Sequence, residues 1–102
     1  MSIIPGTTPT LTLALDTRVA GCTAAEFCLV CDNVRVLRSL PELSVSADGT
    51  EVSVRLTQSE TLSLPDNRIA RVQLRVMLGD TVFATDALAV PTKELLHREV
   101  LL

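Results

Sequence analysis

From Arg68 to Leu78 the chain sets Ala70, Val72, Leu74, Val76 and Leu78 at every second position, with Arg71, Gln73 and Arg75 between them. A β-strand meets that period, because its successive side chains point to opposite faces; a helix, which returns to a face about every 3.6 residues, does not. A strand this long with one apolar row is expected at the centre of a sheet whose apolar face is covered by a second layer.

Shorter runs repeat the pattern. In TLTLALD, Leu11, Leu13 and Leu15 oppose Thr10, Thr12 and Asp16, and in EVSVRLT, Val52, Val54 and Leu56 oppose Glu51, Ser53 and Arg55. Asp48-Gly49 supplies the positive backbone angles of a tight turn, which makes ELSVS the neighbour of EVSVR. Gly79-Asp80 is a second such turn, so residues 68–90 read as one long hairpin, with a bulge or bend where the alternation slips near Thr85-Asp86. AEFCLVC and NVRVL bring the count to about seven strands. The helical signal is TQSETLSL, in which Thr57 caps a short turn, Glu60 closes a capping box and Pro65 ends it. The pattern predicts an all-β fold: an immunoglobulin-like antiparallel β-sandwich of about seven strands with one short helical turn bridging two of them.

With 102 residues the chain fits a single domain, 1–102, with a flexible N-terminus at 1–9 and an apolar C-terminal tail at 92–102. Hydrophobic residues make up 47% of the chain and aromatic residues 2%, so Leu and Val must fill the core, with Phe27 and Phe83 as its large rings. Nucleic acid is not an expected partner, since the formal net charge is -3 and the nine Lys and Arg residues are scattered singly. A membrane is not expected either: no run of about 18 apolar residues is present, and MSIIPGTTPT lacks the basic start and apolar stretch of a secretory signal. The expected place of synthesis is the cytoplasm of the producing cell.

The residues for catalysis are sparse. A Ser-His-Asp or Cys-His arrangement would need His97, in the terminal segment, and the four glycines, Gly6, Gly21, Gly49 and Gly79, stand apart and form no phosphate loop. Neither an enzymatic activity nor a cofactor is expected. A second reading, a small metal-binding or enzymatic domain, would draw on Cys22, Cys28 and Cys31 with His97, since Cys-x-x-Cys is a zinc-ligand spacing. CLVC lies in an apolar strand, however, where residues three apart face opposite sides, and free thiols packed as small hydrophobes are the expectation.

The second half carries a family likeness. Leu56, Thr57, Gln58, Glu60, Thr61 and Leu62 form an LTQ-E-TL turn, Gln73 and Arg75 a Q-x-R strand, Gly79-Asp80 a hairpin, and ELLHREVL a terminal tail. Over roughly residues 50–102 this order resembles small bacteriophage and prophage virion proteins of gut bacteria, and it is similar to the immunoglobulin-like domain at the N-terminus of baseplate proteins. The resemblance implies a structural or adaptor protein of a tail, baseplate or related virion part, acting on other virion proteins or on further copies of itself.

Two groups of residues are candidate partner contacts. Arg71, Gln73 and Arg75 form an outward row that is either a solvated face or a contact surface. In the tail, Leu95, Leu96, Val100, Leu101 and Leu102 crowd apolar side chains that need cover, either from their own domain or from another chain. Pro91 ends the strand before them, and Thr92 with Glu94 carries the signature of one helical turn.

Overall fold

The computed structural model describes residues 1–101 and contains eight strands in two antiparallel sheets. The strands are β1 (Thr10–Ala14), β2 (Ala24–Cys31), β3 (Val34–Ser39), β4 (Ser44–Val45), β5 (Glu51–Arg55), β6 (Ile69–Leu78), β7 (Thr81–Ala84) and β8 (Leu88–Pro91). One sheet has the order β1-β5-β4 and the other β3-β2-β6-β7, with β8 also bonded to β6. A helical turn, α1 (Gln58–Leu62), carries the chain from the smaller sheet to the larger between β5 and β6. This partition of strands is that of an immunoglobulin-type sandwich, with the second strand of its larger sheet extended by a hairpin partner.

β6 is the central strand. It pairs with β2 along one edge and with β7 and then β8 along the other. Ala70, Val72, Leu74 and Val76 are buried, as the alternation requires. Across the interior they face Leu11 and Leu13 of β1 and Val52 and Val54 of β5, while Phe27 and Leu29 of β2 continue their own row beside them; the core is largely hydrocarbon, and all three cysteines are free. Phe27 is fully buried and Phe83 partly so.

Eight strands stand where about seven were expected because the last one divides. β7 faces Arg75–Leu78 and β8 faces Ile69–Val72, and between them Thr85, Asp86 and Ala87 lie opposite only Gln73 and Leu74. The extra residue is a bulge. Its unpaired backbone is satisfied locally: Thr85 donates its N–H to the Leu74 carbonyl at 2.9 Å, and the Leu74 N–H donates to the Thr85 hydroxyl at 3.1 Å.

The turns follow from local chemistry. Gly49 has φ 74°, and a Cβ there would lie 2.7 Å from the Ala20 nitrogen, so both conformation and space demand glycine. Asp48 accepts from the Ser46 hydroxyl and from the Thr50 N–H and hydroxyl. Those bonds hold its carboxyl below the usual range. In α1 the capping box forms as expected: the Thr57 hydroxyl accepts from the Glu60 N–H at 3.1 Å, and the Glu60 carboxylate accepts from the Thr57 N–H at 2.8 Å. A second helical turn, a 3-10 turn at Leu40–Glu42, was not expected; Ser39 and Glu42 close a capping box around it, with Pro41 inside.

Both termini depart from expectation. In the segment 1–9, expected as a flexible leader, Ile3 is fully buried; its N–H donates to the Pro91 carbonyl at 2.9 Å and its carbonyl accepts from Lys93 at 2.8 Å. A parallel bridge to Thr92 results. After β8 no helical turn starts at Thr92. Its side chain is buried and already used, accepting from the Arg68 N–H at 2.8 Å and donating to the Pro65 carbonyl at 2.7 Å, so it cannot cap.

Arg38 faces inward from β3 and forms an ion pair with Glu60 of α1, tying the larger sheet to the connection between sheets. Burial pushes the Glu60 carboxyl up, but the bonds from Arg38 and from the Thr57 N–H outweigh it and leave it below its ordinary range. A carboxyl depressed on folding contributes stability above its unfolded pKa, and that contribution is lost as pH falls through the folded value. Glu60→Gln should therefore destabilise by about 1–2 kcal/mol at neutral pH. The gap between variant and native chain should close on acidification through and below the ordinary carboxylate range, as followed by urea unfolding at stepped pH.

Candidate functional site

The outer face of the larger sheet collects most of the unusual surface. Strand register sets Arg75 between Glu26 of β2 and Ala84 of β7, Gln73 beside Cys28, and Arg71 between Val30 of β2 and Ala89 of β8. One strand further, Leu37 adjoins Cys28 and Arg35 adjoins Val30. The face is therefore banded. Ala24, Met77 and Val82 make one apolar band, Ile69 and Pro91 another, and between them lie Arg75 with Glu26, then Leu37 with Cys28 and Gln73, then the row Arg35, Val30 and Arg71.

The members of the expected row differ in how far they are engaged. The Arg75 guanidinium meets the Glu26 carboxylate at 3.3 Å, an exposed pair. Gln73 donates to the Thr85 carbonyl at 2.8 Å and so helps hold the bulge. Among the described residues Arg71 has no carboxylate partner. Around these polar groups Leu37 is 52% exposed, Ile69 59% and Val82 54%. Solvated sheet faces usually alternate to polar residues, so side chains of this size in water are a departure that covering would relieve. Three shallow hollows dent the face, one of about 350 Å³ beside Met77 and Val82, one of about 240 Å³ beside Cys28 and Gln73, and one of about 430 Å³ beside Val30 and Arg71. Three arginines against one glutamate make this face positive on a chain whose formal net charge is -3.

The tail forms a second surface. It runs back across α1 and is fastened by polar groups. Arg98 donates to the Leu62 carbonyl at 2.8 Å and the Leu64 carbonyl at 3.0 Å, and it forms an ion pair with Asp66. Gln58 bonds both the N–H and the carbonyl of Leu101. Of the apolar tail residues, Leu95 is half-buried over Gly6 and Leu62. Leu96, Val100 and Leu101 point to solvent, at 91%, 60% and 78% exposure, and Leu102 lies outside the described residues. The tail lies on its own domain, yet most of its apolar side chains are not what holds it there.

The residues weighed for metal binding do not converge. Cys31 is buried on the inner face of β2, where burial first and Asp32 second push its thiol up against the opposing pull of Arg68, and it is poorly disposed to act as a thiolate. Cys28 lies on the outer face and Cys22 before β2, while His97 is exposed in the tail, 3.4 Å from Glu99. Among the described residues no three His, Cys, Asp or Glu side chains group closely enough to hold a metal ion.

Compared with protein-family models and with curated proteins, the chain matches none. Its chemistry is thus read from its own surfaces. If Arg98 is the fastener of the tail, Arg98→Ala should cost about 0.5–1.5 kcal/mol, as for a partly exposed charged hydrogen-bonding group. It should also raise amide exchange across residues 94–101 well above that of β8, read by exchange mass spectrometry.

Proposed function

We propose that this domain is a non-catalytic assembly module that joins other proteins through the outer face of its larger sheet. The observation that carries the reading is the banding of that face: Leu37, Val82 and Ile69 stand in water beside arginines, and among the described residues Arg71 has no carboxylate partner. Arginine suits this role because its planar head binds carboxylates while its stem packs against apolar groups. The complementary surface is an apolar patch that carries acidic side chains.

The setting we propose is a phage or prophage particle, as a structural or adaptor part of a tail or baseplate. That assignment rests on the likeness of residues 50–102 to small virion proteins. A rigid sandwich without a catalytic constellation is compatible with such work, since an adaptor needs fixed surfaces rather than reactive groups.

The test uses a photo-crosslinking amino acid at Gln73 and, as control, at Ser53 on the other sheet, in source cells after prophage induction. Adducts to a particle component are expected from position 73 and not from 53. They should vanish in a chain that also carries Arg71→Glu and Arg75→Glu, while thermal stability changes little, since exposed substitutions generally shift stability by only about 0.5 kcal/mol. Absence of the chain from purified particles would overturn the phage setting. Equal crosslinking from both positions would overturn the face.

A further inference from the structure

The smaller sheet ends on an edge that lacks the usual protection. β1 pairs with β5 alone. The bonds from Leu56 N–H to Pro9 and from Leu15 N–H to Thr50 fix the phase of that ladder. With antiparallel pairs alternating, Leu11 and Leu13 bond to β5, and the backbone N–H and carbonyl groups of Thr10, Thr12 and Ala14 point outward from the sheet edge. The Ser46 N–H bonds to the Glu51 carbonyl on the far side of β5, which agrees with this phase, since Glu51 stands opposite Ala14. The segment before β1 does not cover the edge, because its one bridge, at Ile3, goes to Thr92 beside β8.

Natural sheets blunt open edges with charge, proline, bulges or brevity. The other edges of this protein show these devices. β3 carries Arg35 and Arg38, β4 has two residues, and the β7–β8 edge has the bulge and Pro91. β1, reading Thr-Leu-Thr-Leu-Ala, has none of them.

We infer that β1 pairs with β1 of a second copy, antiparallel about Thr12, to form one continuous six-stranded sheet from two smaller sheets. The register is self-complementary. Thr12 faces its counterpart, Thr10 faces Ala14, and Leu11 faces Leu13, with no like charges opposed. The known pairing of β1 with β5 extends each row, so the outward row through Thr10 runs from Arg55 of one copy to Glu51 of the other. Asp16 comes opposite Thr8 of the second copy, whose hydroxyl accepts from Arg55 at 3.3 Å, and an acidic end meets a basic one. Beside the edge lies a hollow of about 320 Å³ lined by Leu13, Leu15, Phe83 and Leu88. Leu88 pairs with the buried Val72 and so belongs to the inner row, yet it is 46% exposed. A neighbour along β1 would cover it. This contact is independent of the outer face of the larger sheet.

Sedimentation equilibrium of the full chain, with folding checked by circular dichroism, tests the pairing. The native chain should show a concentration-dependent monomer–dimer equilibrium. Thr12→Pro removes an outward N–H without touching the β5 ladder, and Thr12→Lys opposes like charges at the dyad. Each should weaken association about tenfold or more. Thr12→Val, which keeps the backbone donor, should associate like the native chain. Should the proline variant fail to fold, the lysine variant decides. A native chain that stays monomeric overturns the inference and leaves the edge to a foreign strand. Undiminished association in the lysine variant overturns it too, as would loss of the dimer in Arg71→Glu/Arg75→Glu, which would assign the contact to the larger sheet.

Discussion

Everything in this fold is hung on β6, because it is the longest strand, three other strands pair with it, and its inner row faces the second sheet. Its pairing with β2 brings Phe27 and Leu29 under the smaller sheet, and its pairing with β7 and β8 sets the other margin of the core. The pleat that buries Ala70, Val72, Leu74 and Val76 must in the same stroke expose Arg71, Gln73 and Arg75. Core and candidate contact surface are therefore two sides of one constraint. A change that moved the register of β6 by one residue would destroy both at once.

What could be read from the residues was whatever local chemistry decides. The alternation of β6, the Gly79-Asp80 turn, the slip near Thr85 and the Thr57–Glu60 capping box each depend on neighbours within a few positions, and each stands in the structure as the pattern implied. The Ser39–Glu42 box has the same signature as the one at Thr57, but it sits on a strand end beside Pro41, where no helical run follows to draw notice. The paths of the termini were not legible. Ile3 and Thr92 meet across nearly the whole chain, and Arg98 reaches Asp66 over a separation of 32 residues. No local period announces such contacts. Thr92 with Glu94 carries a capping signature of its own, yet the Thr92 hydroxyl is claimed by distant backbone and no turn forms there.

The candidate surface was half legible in the same sense. Alternation alone exposes the row on β6, but the banding needs the neighbours of each residue, and these follow only from the pairing of β2, β3, β7 and β8 with it. Leu37, Val30 and Val82 belong to strands whose own patterns are short or imperfect, and their gathering on one face is a product of register. In the tail, composition pointed to the leucines as the groups that make contact. Within the domain a single arginine and a single glutamine do most of the fastening, which leaves the leucines available.

The bulge at Thr85–Ala87 acts as a parity switch for the rest of the chain. Before it, odd-numbered side chains such as Phe83 face the core; after it, even-numbered ones do, Val90 and Thr92 among them. Three residues in the space of two reset the count, so that Val90 and the Thr92 hydroxyl arrive on the inner side with β8 still in register on β6. Loss of one residue among 85–87 would restore an unbroken alternation and leave that facing intact, at the expense of the bonds between Thr85 and Leu74. Loss of two would bring Ala89 and Pro91 to the inner side and turn Val90 into water, unfastening the point from which the tail departs.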